Sequence, residues 1–133
     1  VPIWGPISSR TSNMSLDELA YIKHMLDEAR YLAGAAANLD RTAFLTDPTL
    51  QRAFVRSLEI IGEAAKHVPE PFRARHPSIS WRAMAGMRDR VIHDYLGVDY
   101  EIAGDVVKNK APALQIDLER ILGLEAPPKA LDS

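Results

Sequence analysis

Two apolar seams of helical period decide most of what this chain can fold into. Leu19, Ile22, Leu26, Ala29, Ala33 and Ala36 recur at steps of three and four, and so do Leu50, Phe54, Leu58, Ile61, Ala65 and Val68. At about 100° per residue, such steps keep every one of these side chains on one face of a helix. A half-buried strand needs alternation at every second position, and no stretch of any length has it. The seams therefore have to be buried helix against helix.

The punctuation agrees with the seams. Ser15 with Glu18 forms a capping box that opens the first helix, which ends at Asn38-Leu39-Asp40. Asp47-Pro48 opens the second, with an acidic N-cap and a proline where no N–H is needed. Gly62 inside that helix costs roughly 1 kcal/mol against alanine, which predicts a close approach by a neighbouring helix. Pro69 and Pro71 break the chain, leaving Glu70–Arg75 as at most a short helical turn. Ser80 is placed to cap a third helix through Trp81, Met84 and Met87 to about Tyr95, with Gly97 to end it. Asp99 would cap a fourth from Tyr100 to Leu122, kinked near Lys108 by Pro112. The expected fold is all-α: an antiparallel four-helix bundle with a short extra helix over residues 15–122. Residues 1–14 are expected to be an irregular leader and residues 123–133 a disordered tail.

Composition excludes several classes of function. With no cysteine among the 133 residues, there is no disulfide framework, thiolate nucleophile or Cys-ligated metal. That suits a reducing compartment, the cytoplasm. No apolar run is long enough to span a bilayer. The net charge of −2 argues against indiscriminate binding of nucleic acid, yet the charge is uneven. From Lys66 to His93 six cations (Lys66, Arg73, Arg75, Arg82, Arg88, Arg90) stand against Glu70 and Asp89. That segment is about +4 and the remainder about −6 by simple charge count. It reads either as a solvated basic face or as a local site for an anion.

The densest chemistry lies in MRDRVIHDYLGVDY, residues 87–100. On a continuous helix Arg88 and Tyr95 share a face two turns apart, and Asp89 and His93 are i,i+4 neighbours able to hydrogen-bond. The four side chains would spread over an arc of about 160°. That is too wide to converge on one atom, but it suits two copies facing each other across a two-fold axis. His93 can shuttle a proton near neutral pH, Asp89 can fix its tautomer, and Arg88 offers a bidentate donor to a phosphate. Those are the requirements for attack of a ribose 2′-hydroxyl on its own phosphodiester without a metal. Cations at a helix C-terminus are also favoured by the macrodipole alone, and the R-x4-H spacing does not separate these readings.

Other residues point less far. His24, His67 and His76 have no metal-ligand spacing. Glu59 and Glu63 could be an acid pair or metal ligands, but Arg56 and Lys66 beside them favour a salt-bridge network. Trp81 and Met84 read as core.

Four segments taken together resemble a known family: RSLEIIGEAAKHVP (56–69), PSISWRAMAGMRDRVIHDY (77–95), LGVD (96–99) and VVKNKAPAL (106–114). They are similar to the HepT-like ribonuclease toxins of the HEPN superfamily, over about Ser15 to Leu122. The resemblance implies a homodimeric all-α bundle whose two R-x4-H-x-Y motifs line a shared cleft, acting as an endoribonuclease that needs no metal or cofactor. It implies the toxin half of a toxin–antitoxin module, with a minimal nucleotidyltransferase antitoxin that can adenylylate the motif tyrosine. By position, Arg88 and His93 are the catalytic pair, Asp89 the orienting residue and Tyr95 the modified tyrosine, with Arg82 and Arg90 as RNA contacts. Asp89 stands where asparagine is common, which adds a negative charge beside the incoming phosphate. A non-catalytic HEPN module that binds a nucleotide or partner is the alternative.

Overall fold

A computed structural model describes residues 15–93 and 97–125. Among the described residues, seven helices and one two-stranded ladder follow in the order α1 (Leu16–Ala36), α2 (Arg41–Leu45), α3 (Pro48–His67), α4 (Glu70–Arg75), α5 (Trp81–Ala85), α6 (Met87–Val91), β1 (Ile92–His93), β2 (Gly97–Val98) and α7 (Tyr100–Glu125). The described residues are all-α apart from this small ladder.

Helices α1, α3 and α7 form the body of the bundle, with α3 and α7 running antiparallel to α1. Along α1, Tyr21, Glu28 and Tyr31 meet His67, Ser57 and Phe54 of α3 in that descending order. Toward α7, Arg30 bonds Glu119, while the carbonyls of Ala36 and Leu39 at the far end receive Lys108 Nζ at 2.8 and 2.7 Å. The fourth position is filled by α5 and α6, which pack on α3. Both sequence seams are core: Ile22, Leu26, Ala29 and Ala36 of the first and Phe54, Leu58, Ile61, Ala65 and Val68 of the second are buried, as are Trp81 and Met84. Phe54 stacks on Phe44 with centroids 4.9 Å apart. Burying a side chain of that size stabilises the fold by about 1.5–3 kcal/mol.

The caps form largely as expected. Ser15 and Glu18 make the reciprocal box, and the Asp47 and Asp99 carboxylates accept from Leu50 N and Ile102 N, each at 3.0 Å. Ser80 stands at the N-cap of α5 without a side-chain cap bond. Helix α2 was not anticipated; Asp40 caps it, accepting from Ala43 N at 2.7 Å. Helix α7 runs through Pro112 unbroken and continues to Glu125, past the Leu122 boundary expected from sequence.

The third helix is shorter than its sequence pattern, which extends to about Tyr95. It is divided by a turn at Gly86 and stops at Val91. The Val91 carbonyl, which a continuing helix would offer to residue 95, instead accepts from Asp99 N at 2.8 Å. Ile92 then turns extended, and an antiparallel ladder pairs Ile92 with Val98 and His93 with Gly97. Gly97 does not end a helix; it has φ +85° within this ladder, a left-handed conformation that costs other residues about 1–2 kcal/mol.

Candidate active site

At position 62 a neighbouring backbone crowds the space that a side chain would take. A Cβ there would lie 3.1 Å from the Met84 carbonyl oxygen, 3.6 Å from that of Ala85 and 3.9 Å from Arg88 N. The close approach expected from sequence is therefore present, and it presses the α5–α6 segment onto α3. Arg88 begins at that contact. Its half-exposed guanidinium reaches back to α3, with Nε 3.5 Å from Glu59 Oε2, and Nη1 lies 3.7 Å from Asp89 Oδ1. Arg56 Nη1 approaches Glu59 Oε1 at 3.9 Å. The run Arg56–Glu59–Arg88–Asp89 is thus a salt-bridge network of the kind expected around Glu59, and it holds Arg88 between two carboxylates.

His93 lies beyond the helix, exposed, with its backbone fixed in the ladder opposite Gly97. The i,i+4 pairing of Asp89 with His93 does not form, because the helix ends between them. Among the described residues, Asp89 pairs with Arg88, and no hydrogen bond or ion pair joins either to His93. Tyr95 lies outside the described residues. Arg90 is exposed on α6. Arg82 lines a different hollow, with Glu70, Arg73 and Trp81 between α4 and α5, and is not brought beside Arg88.

The cationic segment proves to be partly structural. Arg73 donates to the last carbonyls of α3, with Nε 2.9 Å from Val68 O and Nη2 2.7 Å from Ala65 O, satisfying groups that a helix end leaves open. Arg75 lies over the Phe72 ring at 5.1 Å. Lys66, Arg82, Arg88 and Arg90 remain at the surface.

Several of these residues meet at a groove that sequence spacing alone does not assemble. Arg88 and Glu59 belong to a groove of about 360 Å³ between α1 and α3, lined also by Tyr21, His24, Arg56, Glu63 and His67. The i,i+4 series Glu59, Glu63, His67 was its one sequence signal on α3; the α1 contribution depends on how the helices pair. His67 Nδ1 lies 3.0 Å from the Glu63 carbonyl oxygen. A carbonyl only accepts, so Nδ1 carries the proton and Nε2 is the nitrogen left for another partner.

The chain is an all-α, HEPN-like bundle with Arg88 on α6 and His93 in the ladder that follows it. The sequence matches the Ribonuclease HepT-like family over residues 22–121, and the chain belongs to that family. A Caldanaerobacter subterraneus protein named "Putative RNase" is 43% identical over 105 residues, covering 79% of this chain and 94% of its own. A Methanocaldococcus jannaschii protein of the same description is 38% identical over 106 residues, 80% of this chain and 88% of that one. "Probable ribonuclease HepT" of Thermococcus cleftensis is 47% identical over 78 residues, 59% and 71% of the two chains. No solved structure matches the chain. No helix among the described residues is long and apolar enough to cross a membrane.

Proposed function

We propose that this chain is a metal-independent endoribonuclease that works as a homodimer, with Arg88 and His93 of both copies lining one RNA cleft. His93 takes the proton of a ribose 2′-hydroxyl as that oxygen attacks the adjacent phosphorus. The bond to the 5′-oxygen breaks, an imidazolium returns a proton to the departing oxygen, and a 2′,3′-cyclic phosphate remains. Arg88 binds the phosphoryl oxygens as negative charge builds on them. Asp89 acts through Arg88, its ion-pair partner. Arg82 and Arg90 bind flanking phosphates. The enzyme is the toxin of a cytoplasmic toxin–antitoxin module, and a minimal nucleotidyltransferase restrains it by adenylylating Tyr95. The added anion would neutralise the cationic site and fill it.

The observation that carries this reading is membership of a ribonuclease family together with an exposed Arg88 and an exposed His93 flanking the end of α6. The test is cleavage of RNA in EDTA by wild type, Arg88→Ala and His93→Ala. The expected result is cleavage by wild type and a loss of roughly 10²- to 10⁴-fold in each variant. Equal cleavage by all three would overturn it. Expression with and without the nucleotidyltransferase tests the module: growth arrest relieved by that gene, with an AMP-sized mass increase on Tyr95, is the expected outcome.

The engagement of Arg88 by two carboxylates favours a second reading, a HEPN module that binds a nucleotide or partner without cleaving. Stable RNA binding with no cleavage product in any buffer would select it.

A further inference from the structure

We propose that the groove between α1 and α3 is a nucleobase subsite, which stacks one base of the RNA on Tyr21 and His67 and reads guanine through the Glu63 carboxylate. This deepens the ribonuclease reading and rests on it. The groove has Arg88 at the level of Glu59 and the Tyr21–His67 pair two helical turns further along α3. Eight residues of helix span about 12 Å, comparable with the reach of a nucleotide from its phosphate to the far edge of its base. A phosphate held at Arg88 thus puts a neighbouring base within reach of the aromatic pair.

The lining suits a base better than the other candidates. Tyr21 and His67 have centroids 5.4 Å apart with planes tilted by 37°, forming a two-ring wall that is partly open to solvent. Stacking on such a wall is the sequence-tolerant part of single-strand binding. Between that wall and Arg88 lies Glu63, exposed, whose carboxylate has no hydrogen bond or ion pair among the described residues. Guanine presents two adjacent N–H groups on its pairing edge, matching the two oxygens of a carboxylate. Adenine and cytosine present one amino group there, and uracil turns carbonyls toward the negative charge. His24, His67, Glu59 and Glu63 do not close into a group that could hold a metal ion among the described residues.

The test uses hexanucleotides with 2′-O-methyl sugars, all-uridine or uridine with a single guanine, bound to full-length protein and followed by fluorescence anisotropy. These strands lack the attacking hydroxyl, so the result stands apart from cleavage, which the Arg88 and His93 variants decide separately. The guanine strand should bind roughly tenfold tighter than the uridine strand. Glu63→Gln should abolish that advantage. Tyr21→Ala should weaken both strands roughly tenfold, and Tyr21→Phe should restore them. Equal affinity for the two strands would overturn the proposal. So would unchanged binding in Glu63→Gln, a near-isosteric change that decides the matter even if Tyr21→Ala misfolds. A changed oligomeric state in sedimentation, with oligonucleotide affinity intact, would assign the groove to a protein contact instead and also overturn it.

Discussion

Glu59 Oε2 lies 3.5 Å from Arg88 Nε, tying the middle of α3 to the short helix that ends just before His93. The pair is partly exposed, so its contribution to stability is about 1 kcal/mol or less. Its larger consequence is to aim the guanidinium. Glu59→Gln should therefore leave the melting temperature almost unchanged. Relieved of one carboxylate, Arg88 should bind RNA more tightly, lowering KM, while its looser orientation lowers kcat by roughly tenfold. Steady-state cleavage separates the two; an unchanged kcat would show that the ion pair has no positioning role.

Gly62 is the second point at which α3 sets the site. Against the Met84 carbonyl oxygen at 3.1 Å, an alanine Cβ requires the backbone of α5 to move. Overpacking of this kind costs about 1–3 kcal/mol, and helix propensity returns about 1. Gly62→Ala should lose about 1 kcal/mol in urea unfolding, and Gly62→Leu considerably more. Because the same contact seats Arg88, cleavage should fall along with stability. A Gly62→Leu protein as stable and active as wild type would contradict the tight contact.

Arg73 separates structural from functional cations. Its guanidinium closes the end of α3 through three carbonyls, those of Val68, Ala65 and Lys66. Arg73→Ala should lower stability by about 1–3 kcal/mol and leave the salt dependence of RNA binding unaltered. Arg90→Ala should do the reverse, flattening that dependence by about one phosphate contact. Unfolding curves and salt titrations check the pair of outcomes.

An acid-range signature is expected from Glu119. Hydrogen bonds from Arg30 first, and from Gln115 next, hold its carboxyl below the ordinary carboxylate range, with desolvation acting in the other direction. A carboxyl lowered on folding stabilises the native state above its unfolded pKa, and that contribution is lost as pH falls through the folded value. The melting temperature of Arg30→Gln should thus lie slightly below wild type at neutral pH. The gap should close in acid and in high salt, since both side chains are substantially exposed.

Much of the scaffold was legible because local chemistry dictates it. The seams of α1 and α3, the Ser15, Asp47 and Asp99 caps and the small residue at position 62 all act within a few residues or advertise a neighbour directly. The end of α6 was not legible. Met84, Met87 and Val91 keep a helical period up to the break, and the bond that stops the helix, Asp99 N to Val91 O, joins positions eight apart. The same error placed Asp89 beside His93. Arg88 stands out in the sequence as a candidate, yet its partner Glu59 comes from a different helix, and no spacing in the sequence joins the two. The groove along Tyr21 and His67 was hidden for the same reason.

The proposed function requires two copies to share one catalytic cleft. Arg88→Ala and His93→Ala proteins, each inactive alone, should be co-expressed with different tags so that the mixed dimer can be isolated and assayed on RNA. Each mixed dimer retains one intact guanidinium and one intact imidazole, supplied by different subunits. A shared cleft predicts that cleavage returns to a substantial fraction of the wild-type rate. Mixed dimers as inactive as either parent would contradict it.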